Sequence, residues 1–209
     1  MAEIEKIKKL RSLSGAGFKD CSSALDEASG DIDKAIEVLR VRGISKASKK
    51  MSRSANEGVI AICENNENSS ILEINCETDF VAKNEDFINF AKELSDINNK
   101  VKSDRDTLLS ATMKNGKNVN ENLLGLITKI GEKITIGRSK TLNNINSKIF
   151  KYHHTIVKDN LSKLGVLVSI NTNNESEKLK IFGKQLSMHI AASNPLAIDI
   201  EDIDQNVLK

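Results

Sequence analysis

Apolar residues recur every three or four positions through the opening stretch, and the breaks between runs predict three short helices within residues 2–42. Ile4, Ile7, Leu10 and Leu13 mark the first stripe, with Lys6, Lys8, Lys9 and Arg11 around it. Ser14-Gly15-Ala16-Gly17 ends that helix, because glycine accepts the positive φ of a helix terminus. Asp20 is placed to cap a second helix using Ala24, Leu25 and Ala28, closed by Gly30. Asp31 then caps a third through Ile32, Ala35, Ile36 and Leu39. Three helices of this size enclose a thin core, which suits docking better than catalysis.

From Gly58 the period changes. Val59 to Cys63 and Ile71 to Cys76 read as strands of a hairpin joined by the turn-rich run 64–70. Asn84 can cap a helix with Glu85 and Asp86 in its first turn and Phe87, Phe90, Ala91 and Leu94 on one face. A weak helix is expected near 107–113, a loop at Asn115-Gly116, and an amphipathic helix through Leu123, Leu124, Ile127 and Ile130 closed by Gly131. Ile134 to Ile136 is a third strand. The order then returns: strands at 149–156 and 165–170, followed by a helix with Leu179, Phe182, Leu186 and Ile190 on one face that stops before Pro195. Hairpin plus helix thus occurs twice, at 58–95 and 149–192, as a repeat of architecture and not of residues.

Between the first hairpin and its helix sits Thr78-Asp79-Phe80-Val81, a corner carrying a carboxylate beside a large aromatic. The chain has six Phe, one Tyr and no Trp, so an aromatic at a corner stands out. Phe80 is either a staple packed over the helix bearing Phe87 or a side chain that reaches into a partner.

Charge and chemistry narrow the function. Of 209 residues 39% are hydrophobic and 29% charged, which fits a soluble protein with modest cores. No apolar run approaches a membrane span, and the acidic, amphipathic N-terminus does not read as a secretory signal. Cys21, Cys63 and Cys76 are scattered without metal spacing, as expected of reduced thiols in the cytoplasm. The net charge of +2 does not favour nucleic acid as a partner. The run Arg40, Arg42, Lys46, Lys49, Lys50 and Arg53 is either a solvated linker or an RNA-binding patch, and the lack of interleaved aromatics favours the linker. No phosphate-binding loop or nucleophile elbow is present, and His153, His154 and His189 have no metal-ligand spacing. No enzyme activity, cofactor or metal is expected.

With these residues laid out, the chain resembles bacterial translation elongation factor Ts. Four blocks carry the likeness: Leu10 to Cys21 around Ser14-Gly15-Ala16-Gly17-Phe18-Lys19-Asp20; Gly30-Asp31 with Ala35-Ile36; Asn75-Cys76-Glu77-Thr78-Asp79-Phe80-Val81-Ala82-Lys83-Asn84; and Met188-His189-Ile190-Ala191-Ala192-Ser193-Asn194-Pro195. Ile130-Gly131-Glu132-Lys133-Ile134 and Gly165-Val166-Leu167-Val168 agree more weakly.

The resemblance implies an α+β protein: a ubiquitin-associated-like three-helix domain at 1–42, a basic linker at 43–57, and a core of two related α+β subdomains with antiparallel sheets at 58–140 and 141–209. It implies a guanine-nucleotide exchange factor for elongation factor Tu, met in its GDP-bound and nucleotide-free forms. In the family the corner matching Thr78, Asp79, Phe80 and Val81 intrudes near the partner's nucleotide pocket and displaces Mg²⁺. The helical domain docks on the nucleotide-binding domain, which points to Phe18 and Lys19. Tyr152-His153-His154 resembles the family's Tyr-x-His, making His154 a candidate contact, and His189 either packs or contacts. Many members continue into a coiled-coil protrusion, near whose start this chain stops at Lys209, so the second subdomain is expected to be incomplete.

Overall fold

The computed structural model describes residues 2–14 and 16–203. Three helices come first: α1 (Ala2–Ser14), α2 (Phe18–Glu27) and α3 (Ile32–Lys50). Ile7, Leu10, Cys21, Ala24, Leu25, Ala35 and Leu39 meet in a small core of their own. The apolar stripe of α1 is shorter than the periodicity predicts: Ile7 and Leu10 are buried, whereas Ile4 and Leu13 are exposed. Asp31 caps α3 as expected, its Oδ1 accepting from the amides of Asp33 and Lys34. Asp20 does not cap α2, which begins at Phe18 with Gly17 at its N-cap and Asp20 in its first turn. Gly15 lies outside the described residues.

The segment expected to be a linker is helical as far as Lys50. Ala47 is buried in the main core, and Gly43 lets α3 approach Thr128, so α3 is packed at these two positions.

The main body is one antiparallel sheet with helices on it. Its strands are β1 (Glu57–Glu64), β2 (Asn68–Cys76), β3 (Ile134–Asn143), β4 (Ser147–Lys158) and β5 (Leu161–Asn171), in the order β3-β2-β1-β5-β4. The remaining helices are α4 (Asp79–Ala82), α5 (Glu85–Lys100), α6 (Arg105–Ser110), α7 (Val119–Ile130) and α8 (Glu177–Ser193). Side chains of β1, β2 and β3 alternate inward with Val59, Ala61, Leu72, Ile74, Ile134 and Ile136, against Phe87, Ala91 and Leu94 of α5. Local signals fix the helix ends: Asn84 caps α5, Asn118 and Glu121 form a capping box on α7, and Gly131 closes α7 at φ 87°.

Both expected hairpin-and-helix units are present, and they share the sheet. The seam between them is short, with β1 meeting β5 at Ile60↔Ser162 and Ala61↔Leu161. Among the described residues, ion pairs span it at Lys151–Glu64 (2.7 Å), Lys163–Glu57 (2.5 Å) and Lys158–Glu85 (3.9 Å). In the second unit α8 lies against β4 and β5 through Leu179, Gly183, Leu186 and Ser187. Phe182 departs from its predicted face and stands 54% exposed. The reason is Gly183, where a Cβ would lie 2.3 Å from the Phe150 ring: the glycine, and not Phe182, is the point of closest approach. Among the described residues, no helix is long and apolar enough to cross a membrane.

Candidate functional site

Strand β2 ends at Cys76, whose buried thiol donates to the carbonyl of Thr78 at 3.2 Å. Desolvation pushes that thiol up to about 11, so it stays protonated as a packing group. Thr78 then caps α4, its Oγ1 accepting from the amide of Val81 at 3.4 Å. A helix of one turn distributes its side chains around the axis, so burying Val81 and Ala82 forces Phe80 outward. Phe80 is 81% exposed while Phe87, over which it could have folded as a staple, is fully buried. Asp79 sits beside it, half-exposed, with Lys83 Nζ at 2.9 Å. That hydrogen bond with Lys83 holds the Asp79 carboxyl below its usual range, keeping it charged.

Two carboxylates bind the corner to the start of β3. Glu132 accepts from Thr78 twice, Oε2 from the backbone amide at 3.1 Å and Oε1 from the hydroxyl at 2.9 Å. Glu77 Oε1 accepts from the Lys133 amide at 2.6 Å, the chief reason its carboxyl is held low, and pairs with Arg53 at 3.3 Å. Lys133 Nζ donates to the carbonyls of Met51 and Arg53 at 2.7 and 2.8 Å, drawing in the chain that follows α3.

The four corner residues are brought together but not equally presented: Phe80 and Asp79 face out, Thr78 is half-buried, and Val81 belongs to the core. The other candidates lie elsewhere on the molecule. Phe18 (51% exposed) and Lys19 open α2 at the surface of the three-helix unit. On β4 the side chains of His153 and His154 diverge as strand geometry requires. His154 is exposed and hydrogen-bonds the Tyr152 hydroxyl through Nδ1 at 3.0 Å. His153 is half-buried, its Nδ1 3.0 Å from Ser162 Oγ, and burial lowers its pKa. His189 is exposed on α8. The latch through Glu132 and Glu77 escaped sequence reading, since no spacing rule links Thr78 to a residue so distant in the chain.

A cavity of about 170 Å³ between α1, α3 and α7 is lined by residues including Leu13, Leu39, Leu124 and Thr128, none of them from the corner. Among the described residues no cluster of His, Cys, Asp or Glu could hold a metal ion. What the corner presents is an exposed phenyl ring beside a charged carboxylate, a pair that can meet another molecule's surface.

The family model described as Elongation factor TS matches residues 77–209, from the corner onward. The elongation factor Ts of Ehrlichia ruminantium (strain Welgevonden) is 39% identical over 207 residues, covering 99% of this chain and 72% of that protein. That of Gluconobacter oxydans (strain 621H) is 36% identical over 211 residues, covering 100% of the chain and 70% of its own length. That of Bartonella tribocorum (strain CIP 105476 / IBS 506) is 40% identical over 205 residues, covering 98% and 67%. These likenesses make the chain a translation elongation factor. It belongs to the elongation factor Ts family.

Proposed function

We propose that this chain is the guanine-nucleotide exchange factor of elongation factor Tu, working in the cytoplasm as a binding protein without chemistry of its own. It binds the GDP form, disturbs Mg²⁺ coordination, and releases GDP so that GTP can enter. The observation that carries this reading is the 81% exposure of Phe80 on a corner whose next residue, Val81, is locked in the core.

The physics suits such a wedge. Mg²⁺ demands near-octahedral oxygen ligation, so a small displacement of the elements carrying its ligands degrades its hold on the nucleotide phosphates. A phenyl ring seated in a partner pocket contributes about 2 kcal/mol or more when it is a hot spot. Asp79, kept ionised by Lys83, brings negative charge towards the metal's surroundings. Coupling is reciprocal: if this chain weakens GDP binding, GDP weakens the chain's binding by the same factor. Phe18 and Lys19 serve as contacts of the helical module. Tyr152 with His154 serves as a contact of the second unit, and His189, exposed on α8, is available for one.

The RNA-binding alternative draws less support. Arg40 pairs with Glu37, Arg42 with Glu27 and Arg53 with Glu77, leaving less free positive charge than the sequence run suggests. The side chains of Lys46 and Lys49 lie outside the described residues.

Capture of nucleotide-free elongation factor Tu by the immobilised chain, with and without added GDP, tests the proposal. Binding that GDP reverses is expected. Binding indifferent to GDP leaves only an adaptor role, and retention of RNA with steep salt dependence in place of the factor favours the alternative.

A further inference from the structure

We infer that Glu132 is the positioning residue of the corner: by fixing the proton of the Thr78 hydroxyl it holds in place the turn that carries Phe80, whose outward direction the buried Val81 and Ala82 set. Its consequence for nucleotide release rests on the exchange-factor reading, whereas its consequence for the free protein does not.

Thr78 Oγ1 has a single proton and two lone pairs. The Glu132 carboxylate, an acceptor without protons, takes that proton at 2.9 Å and the Thr78 amide at 3.1 Å with its other oxygen. With its proton committed, the hydroxyl turns a lone pair towards the Val81 amide 3.4 Å away. A charged acceptor polarises the hydroxyl and strengthens it as a cap in turn. The helix so capped has four residues and cannot hold itself, because a single turn lies below the length at which helices are stable. Its support must therefore come from outside, and Glu132 together with the buried Val81 and Ala82 supplies it.

Glu132 is itself held. Gly131 at φ 87° turns the chain out of α7, and the Lys133 amide on the other side is bound by Glu77. The two carboxylates thus cross: Glu77, beside the corner, clamps the residue after Glu132, while Glu132 clamps the residue after Glu77. Glutamine at 132 would preserve volume but offers one acceptor oxygen for two donors, turning an NH₂ group against one of them.

Glu132→Gln tests this in two ways. In the free protein, amide hydrogen exchange at Val81 and Ala82 is expected to rise about tenfold while Leu94 in α5 stays unchanged. Unchanged protection at 78–82 would overturn the inference. In GDP release from elongation factor Tu, the saturating rate is expected to fall about tenfold. In a Phe80→Ala background Glu132→Gln should then cost little more, and two additive losses would contradict action through Phe80. Should Glu132→Gln fail to fold, Thr78→Ser and Thr78→Val replace it: serine, which keeps the hydroxyl, should retain the rate and valine should lose it. A null effect of Phe80→Ala, with exchange at Val81 still raised by Glu132→Gln, would remove the exchange-factor reading and leave the positioning role standing.

Discussion

Gly183 and Gly125 both lie inside helices, yet replacing each by alanine should change stability in opposite directions. A glycine-to-alanine change in a helix interior ordinarily stabilises by about 0.5–1 kcal/mol, since alanine loses less backbone entropy on folding. At Gly125 in α7 an added Cβ meets nothing within 4 Å, so the ordinary gain should appear. At Gly183 in α8 the Cβ would fall 2.3 Å from Phe150 Cγ and 2.4 Å from both Cδ atoms. Such approaches are impossible, and the overlapping atoms belong to the Phe150 ring, which is half-buried on β4 beneath α8. Either Phe150 leaves its place or α8 lifts, at a cost of about 1–3 kcal/mol for overpacking. Set against the helix gain, this leaves a net loss between about 0 and 2.5 kcal/mol, or about 1 kcal/mol at the centre of both ranges. Urea unfolding followed by circular dichroism reads this as a lower midpoint for Gly183→Ala and a higher one for Gly125→Ala, at unchanged slope. Phe150→Ala combined with Gly183→Ala should lose less than the two single changes together. If Gly183→Ala stabilises as Gly125→Ala does, α8 is not seated on Phe150 and the account of the second unit is wrong.

Two further outcomes follow from burial and titration. Phe87→Ala should cost about 3–5 kcal/mol, as a fully buried ring lost from the main core, whereas Phe80→Ala should stay within about 0.5 kcal/mol, both read from unfolding midpoints. His153 has its pKa lowered below the usual 6.5, chiefly by burial, so the unfolded chain takes up a proton first as pH falls. Its contribution to stability is therefore complete above about pH 6.5 and is lost as pH drops from there through the lowered folded value. Ser162 Oγ donates to the Leu164 carbonyl and so accepts from His153 Nδ1–H, an arrangement the amide of asparagine can imitate without titrating. His153→Asn should flatten that limb of the stability–pH curve, and a curve of unchanged shape would show that another group governs it.

Much of the fold was legible because its signals are local. Asn84, Asp31 and Gly131 mark helix ends by chemistry confined to a few residues, and both hairpins show in alternation and turn composition. What escaped depends on partners far along the chain. The helix through 43–50 has serines, a glycine and several lysines, a weak helical pattern, but Gly43 and Ala47 fit it against α7 and the core. Phe182 satisfies the period of a buried face, yet the approach of Gly183 to Phe150 rotates that face away from it. The corner could be picked out as an acid beside an aromatic. Whether Phe80 pointed in or out was settled by the burial of Val81 and Ala82, and its support by Glu132 depends on two segments meeting only in the folded state.

The central claim is that Phe80, carried outward on a braced corner, loosens the nucleotide of elongation factor Tu. Stopped-flow release of fluorescent GDP from that factor, at saturating concentrations of the native chain and of Phe80→Ala, tests it most directly. A rate lowered at least tenfold in the variant, with its fold and unfolding midpoint preserved, is the expected result. Equal rates from the two proteins would contradict the account.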